Sequence, residues 1–315
     1  MKDLAPANHG KFTNPHTTAD GAPRARVSLK NPQTLWFNTG TLCNIECANC
    51  YIDSSPTNDA LVYLTADEVG AFLDQARARA WPLQEIAFTG GEPFMNPQMI
   101  DMARRALTDG FRVLILTNAM RPMMRKPMQD GLIALNRAFP GQLCLRVSLD
   151  HFGADLHDAE RGAGSFDITL RGMRWLAAQG IPMAAAGRAH MAQSEAEARD
   201  GFARLFARHG FDIDANDPAR MVLFPEMDLG QDVPEITTDC WDILGKSPQS
   251  VMCASARMVV KRKGAAAPSV VACTLLPYET EFDLGATLAD AEGDVALNHP
   301  HCAKFCVLGG ASCSA

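Results

Sequence analysis

No apolar run in this 315-residue chain approaches the roughly 20 residues that cross a bilayer, so no membrane association is expected. The opening stretch, MKDLAPANHGKFTNPHTTADG, holds no apolar core segment and does not read as a secretory signal. Basic residues are in deficit: 29 Lys and Arg against 36 Asp and Glu give a net charge of −7 and an isoelectric point near 5.6. Without a broad cationic face, nucleic acid is not an expected partner. Internal repeats and low-complexity segments are lacking too. Usage of 47% hydrophobic and 21% charged residues is ordinary for a globular protein, which sets aside global disorder and collagen-like architectures. The expectation is one large or two small domains, soluble and cytoplasmic.

What the chain does have is cysteine. There are ten, at 43, 47, 50, 144, 240, 253, 273, 302, 306 and 313. A cytosolic chain of this size needs no disulfides to hold its core, and its compartment would reduce them. Clustered thiols in such a chain point to metal binding or chemistry. Three crowd into eight residues and five fall after residue 250, so two separate metal sites are the simplest reading.

Residues 1–34 are rich in Pro, Asn, Thr and Gly without apolar periodicity and read as an extended arm. Short apolar runs then alternate with helical patterns. The runs are 34–40, 85–91, 112–118, 143–150, 182–190 and 221–226. Thr65 with Glu68, and Ser194 with Glu197, fit the capping box, and Gly110, Gly180 and Gly210 stand where helices should end. Val69, Phe72, Leu73 and Ala76 form an apolar stripe that reads as core. Six strand–helix units predict an α/β fold, a partial (β/α)6 TIM-like barrel over 35–226. A small β-hairpin/helix domain over 227–315 would follow. In such folds functional groups gather where the strands end and the loops begin. The cysteine triplet follows the first predicted strand, Gly90-Gly91-Glu92-Pro93 ends the second, Asn118 the third and Asp150 the fourth.

Cys43, Cys47 and Cys50 stand with three and two residues between them, a spacing that can wrap one inorganic centre. Iron–sulfur clusters and zinc both take thiolates and usually want four ligands, and no local fourth is present. An open corner suits a reactive centre, whereas a structural zinc site is closed. Alternation puts Cys144, Arg146, Ser148 and Asp150 on one face of the fourth strand. A polar stripe inside a barrel costs free energy unless it meets partners or a ligand. Asn118 and Arg188 join this rim either as ligand contacts or as ordinary lumen hydrogen bonding.

The CX3CX2C triplet resembles the signature of the radical S-adenosylmethionine (radical SAM) enzymes, and Thr89-Gly-Gly-Glu-Pro93 resembles their second motif. The resemblance implies a 4Fe–4S cluster on Cys43, Cys47 and Cys50, with S-adenosylmethionine chelating the open iron. Gly90, Gly91, Glu92 and Pro93 would lie at the methionine amino group. Glycines allow close backbone approach, and a carboxylate suits an ammonium. Ser148 and Asp150 would sit at the ribose, with Asn118 and Arg188 also around the cofactor. The residue before the third cysteine, often aromatic in the family, is Asn49 here, which puts the usual adenine-side contact in doubt. The segment His157–Gly162 resembles one seen in peptide- and small-molecule-modifying members, or is a loop before a helix near 166–179. His151, His157 and His190 receive no role.

Cys253 and Cys273 bracket a hairpin pattern with a Lys-Gly turn, and Cys302, Cys306 and Cys313 follow. This resembles the twitch and SPASM extensions that hold auxiliary iron–sulfur clusters. It implies a second 4Fe–4S cluster on Cys253, Cys273, Cys302 and Cys306, with Cys313 an alternative ligand or a hydrogen-atom donor. A zinc ribbon remains the alternative, because hairpin-plus-pair thiols also suit tetrahedral zinc. The implied activity is reductive cleavage of S-adenosylmethionine to a 5′-deoxyadenosyl radical, followed by hydrogen abstraction and an oxidation or modification. The substrate would be a small molecule or a peptide side chain, and a flavodoxin or ferredoxin would donate the electron. Two other classes stand beside it: a cluster-bearing redox carrier, and a zinc-stabilised binding module.

Overall fold

The computed structural model describes residues 10–191, 194–225 and 228–310; Cys313 lies outside them. Six parallel strands follow one another in chain order: β2 (Thr34–Asn38), β3 (Glu85–Thr89), β4 (Arg112–Thr117), β5 (Leu143–Ser148), β6 (Met183–Arg188) and β7 (Met221–Phe224). A preceding two-residue strand, β1 (Arg26–Val27), lies apart from this sheet. Helices α1 (Ala66–Ala78), α2 (Met99–Thr108), α3 (Lys126–Ala138), α4 (Ala154–Arg161), α5 (Ser165–Ala178) and α6 (Glu195–His209) fill the crossovers. The architecture is thus the expected partial barrel, an α/β fold with a mostly parallel sheet.

Period-two alternation decides which side each strand residue faces. Leu35, Phe37, Ile86, Phe88, Val113 and Ile115 pack outward with Phe72, Leu73, Met102 and Leu132 of the helices in one buried cluster. Trp36, Ala87, Leu114, Ala186 and Phe224 face the other way, into the lumen cluster. The helices begin where the sequence signals them. Thr65 Oγ1 accepts from Glu68 N at 3.2 Å while Glu68 Oε2 accepts from Thr65 N at 2.9 Å, the reciprocal cap of α1. Ser194 Oγ caps α6 by accepting from Glu197 N at 3.1 Å.

The segment from His157 is not a loop. It forms most of α4, whose buried side chains are His157 and Glu160. With no apolar stripe in ADLHDAER, helical periodicity had nothing to show there.

After the short helix α7 (Cys240–Leu244) the chain returns to the same sheet. Strand β8 (Ala256–Val260) pairs in parallel with β2, so that Trp36 faces Met258 in register. Strand β9 (Ser269–Val271) pairs antiparallel with β8, and β10 (Asp283–Gly285) antiparallel with β9. The hairpin read from the sequence is therefore present, and it extends the barrel sheet to nine strands in the order β10-β9-β8-β2-β3-β4-β5-β6-β7. The residues before β2 are tied to this end of the molecule: β1 pairs antiparallel with β11 (Val295–Ala296). Beside that pair the buried Arg24 guanidinium joins the Glu235 carboxylate and donates to the carbonyls of Asn14 at 2.6 Å and Leu297 at 3.2 Å. Among the described residues no helix is long and apolar enough to cross a membrane.

Candidate active site and a second thiol cluster

The pairing of β2 with β3 continues past the strand ends, and this brings the two leading motifs together. Gly91 N donates to Gly40 O at 2.8 Å and Glu92 N to Leu42 O at 3.2 Å, one residue before Cys43. A Cβ on Gly90, whose φ is +146°, would meet Gly40 O at 2.5 Å, and one on Gly91 would meet Leu42 O at 2.3 Å. Only glycine lets these backbones lie this close.

Cys43, Cys47 and Cys50 line one cavity at the C-terminal rim together with Gly90, Gly91, Asn118, Ser148, Asp150 and Arg188. Six of the eight residues assigned to cofactor binding are thus brought beside the triplet. Glu92 and Pro93 are not: both are buried behind the wall. The Glu92 carboxylate is already engaged, accepting from Thr117 Oγ1 at 2.9 Å, Asn118 N at 2.8 Å and Phe94 N at 3.2 Å. It bolts the Gly-Gly-Glu-Pro turn to the end of β4. Burial pushes its carboxyl up to about 7 in spite of those donors.

Asp150 is likewise committed. Arg161 of α4 grips it with both arms, Nε at 2.6 Å and Nη2 at 3.1 Å, and Arg188 Nε stands 3.4 Å away. Burial opposes ionisation of Asp150, but the two guanidinium charges outweigh it and hold the carboxyl below its usual range. Glu160, the neighbouring residue on α4, accepts from Asn49 N at 2.8 Å and Asn49 Nδ2 at 2.9 Å, and pairs with Arg188 Nη2 at 3.0 Å. The amide at the position before Cys50 is therefore spent on docking the cysteine loop to α4. An aromatic ring comes two residues later. Tyr51 lines the cavity, with the Arg188 guanidinium 4.8 Å from its ring centre and Phe224 edge-on at 5.7 Å.

Glu160, Arg161 and Tyr51 carried no assignment in the sequence, nor did Asn44, whose Oδ1 accepts from Asn118 Nδ2 at 3.0 Å. The signal available was a Glu-Arg pair shortly after Asp150, ambiguous because such pairs commonly lie on solvated helix faces. His157, behind Arg161, is fully buried against Phe166, and burial, then the Arg161 charge, pushes its imidazole down to about 4.

Burial pushes the Cys43 thiol up to about 12 and the Cys47 thiol up to about 11. Ser54 N donates to Cys50 Sγ at 3.3 Å, and Asn118 Nδ2 lies 3.9 Å from Cys43 Sγ. The Ser54 hydroxyl, buried in the same wall, has no hydrogen-bond partner, which costs about 1–3 kcal/mol until a ligand or water meets it. Among the described residues no three Cys, His, Asp or Glu side chains converge on a single metal ion. A four-iron cluster does not require that, since each thiolate takes a different iron. The donor set, the N–H groups facing sulfur and the orphaned hydroxyl fit a cluster with a polar ligand beside it.

A second cavity is lined by Cys253, Cys273, Cys302 and Cys306, the four cysteines assigned to an auxiliary centre. Its other walls include Met252, Leu276, Phe282, Val295, Leu297 and His301, an almost wholly apolar lining. Cys253 sits in the short turn before β8, Cys273 just after β9, and Cys302 and Cys306 share the wide helical turn Cys302–Leu308. Burial pushes Cys253 up to about 11 and Cys302 up to about 12. Leu275 N donates to Cys273 Sγ at 3.3 Å. Leu275 lines both cavities. Cys144 and Cys240 line neither.

Residues 37–187 match the family model described as the Radical SAM superfamily. These residues are a radical SAM domain. The chain is 30% identical over 158 residues to an AdoMet-dependent heme synthase of Methanosarcina barkeri, a match covering 50% of this chain and 42% of that one. It is 30% identical over 151 residues to the antilisterial bacteriocin subtilosin biosynthesis protein AlbA of Bacillus subtilis, covering 48% of this chain and 32% of AlbA. The matches span less than half the length of either relative. The fold also resembles that of Streptococcus suis SuiB bound to S-adenosylmethionine, with a TM-score of 0.58 at 12% identity, over 81% of this chain and 63% of SuiB. Iron–sulfur and S-adenosylmethionine chemistry is what this family model implies for residues 37–187.

Proposed function

We propose that this chain binds a 4Fe–4S cluster on Cys43, Cys47 and Cys50 and uses it with S-adenosylmethionine to take a hydrogen atom from an unactivated carbon. The observation that carries the reading is the shared cavity in which the three thiols meet Gly90, Gly91, Asn118, Ser148 and Asp150. When bound, the cluster supplies the electron that cleaves S-adenosylmethionine to methionine and a 5′-deoxyadenosyl radical. The chain's own residues do the positioning. Gly90 and Gly91 let their turn lie against the loop that enters Cys43 while lining the cavity. The Ser148 hydroxyl, free to donate or accept, suits a ribose hydroxyl. The Asp150–Arg161–Arg188–Glu160 network is electrically balanced, so it fixes the rim without placing a net charge beside the reacting atoms. Trp36, Leu116, Ala186 and Phe224 give the inner wall an apolar surface that excludes water.

Cys253, Cys273, Cys302 and Cys306 are assigned to an auxiliary 4Fe–4S cluster, the four buried or half-buried thiols of one apolar cavity. An external one-electron donor, such as a flavodoxin or ferredoxin, completes the system. A small-molecule substrate is the first reading. Modification of a peptide is the second, favoured by a relative named for bacteriocin biosynthesis. Incubating the reconstituted enzyme with S-adenosylmethionine and reductant in cell extract, then following deuterium washed into or out of small molecules and peptides by mass spectrometry, decides between them. Label confined to peptides would overturn the first reading.

A further inference from the structure

Arg257, on β8, is 1% exposed and among the largest fully buried side chains. Burying a guanidinium costs several kcal/mol unless a counter-charge offsets it. Arg24, Arg161 and Arg188, also buried or nearly so, each have a carboxylate within ion-pair distance. Arg257 does not. Its donors end on backbone carbonyls: Nη1 on Cys253 O at 2.6 Å and Ala256 O at 2.9 Å, Nε on Ala291 O at 2.9 Å, Nη2 on Gly293 O at 3.2 Å. Carbonyls satisfy the N–H groups but leave the positive charge uncompensated. Burial pushes its pKa down to about 10, opposed by the Cys253 and Cys273 sulfurs when these are thiolates, and by Asp294. Two of those are cysteines of the second cavity, and one of them gives the guanidinium its shortest hydrogen bond through its own carbonyl.

We propose that Arg257 is the resident counter-cation of the C-terminal thiol site, offsetting the charge of a thiolate-bound iron–sulfur cluster and raising its reduction potential. The proposal rests on the auxiliary-cluster reading above. A reduced cluster carries one more negative charge than the oxidised one, so a fixed cation in an apolar site favours the reduced form more. The charge, rather than the brace it forms between residues 253 and 291–293, is what acts on the potential.

The test uses the full chain with Cys43, Cys47 and Cys50 changed to Ala, so that only the C-terminal site holds iron. Arg257→Gln and Arg257→Lys are introduced into it, and each protein is reconstituted anaerobically, assayed for iron and sulfide, and titrated redox-potentiometrically by EPR. With about four irons per chain retained, Arg257→Gln is expected to shift the reduction equilibrium at least tenfold toward the oxidised form, which is 59 mV lower for one electron. Arg257→Lys, which keeps the charge, should shift it much less. If the Gln protein fails to hold iron while the Lys protein holds it, the need for a cation is upheld through assembly instead. Unchanged potentials in an iron-loaded Gln protein overturn the role of Arg257 and leave the cluster standing. Loss of iron from both variants also overturns it, and assigns Arg257 to bracing alone. Zinc, or no iron, in the protein that keeps Arg257 removes the auxiliary cluster and the proposal with it.

Discussion

His157 shows how a single buried side chain behind the site sets a pH limit. Its imidazole has no hydrogen-bond partner on either nitrogen and titrates near 4 in the folded chain against an ordinary value of 6.5. The folded pKa is depressed, so the unfolded chain takes up the proton first, and stability falls as pH drops from 6.5 toward 4. At about 1.4 kcal/mol per pH unit, this one group accounts for up to roughly 3 kcal/mol. His157→Phe, which keeps the packing on Phe166, is expected to flatten the stability–pH slope over that window in urea titrations. An unchanged slope would show that the imidazole charges without cost. At this scale the sequence was legible where chemistry demands a residue type. The thiols, Gly90, Gly91, Asn118, Ser148 and Asp150 were all named by type and position, and all line the cavity. Glu92 was legible as important but not in its orientation, because whether a carboxylate faces a ligand or a backbone turn depends on the end of β4, twenty-five residues away.

Elements hold the loop that carries the cysteines, and two substitutions separate close packing from local strain. At Gly91 a side chain would run into Leu42 O and Thr41 O, backbone atoms of the loop entering Cys43. At Gly110 nothing lies within 4 Å, and only the positive φ opposes alanine. Gly91→Ala should therefore lose the iron of the first site, whereas Gly110→Ala should lower stability by only about 1 kcal/mol and keep its iron. Iron retained at wild-type level in Gly91→Ala would mean the loop tolerates displacement. Helix α4 is the second support. Glu160→Gln removes the charge that pairs with Arg188 and disturbs both bonds to Asn49, and should weaken iron retention at the first site about tenfold against a chelator. The parallel strands were legible because their apolar runs are short, punctuated and six in number. Helix α4 was hidden because it buries a histidine and a glutamate instead of an apolar stripe.

At the scale of the molecule, β8 and β9 continue the barrel sheet past β2, and the second thiol cavity is carried on that extension. The sequence showed the hairpin and the grouping of its cysteines. It could not show that β8 would pair in parallel with β2, since this contact joins residues some 220 positions apart in the chain. Replacing Cys253 and Cys302 with Ala is expected to halve the iron of a chain that holds about eight, while S-adenosylmethionine cleavage by the first site persists. Complete loss of iron would show instead that the two sites assemble as one.

The most direct test of the central claim is 5′-deoxyadenosine formation by the anaerobically reconstituted chain, given S-adenosylmethionine and a strong reductant, beside the Cys47→Ala protein. The expected result is deoxyadenosine and methionine in equal amounts from the intact chain and background levels from Cys47→Ala. Equal formation by both proteins, or none from an iron-loaded intact chain, would contradict the assignment of Cys43, Cys47 and Cys50.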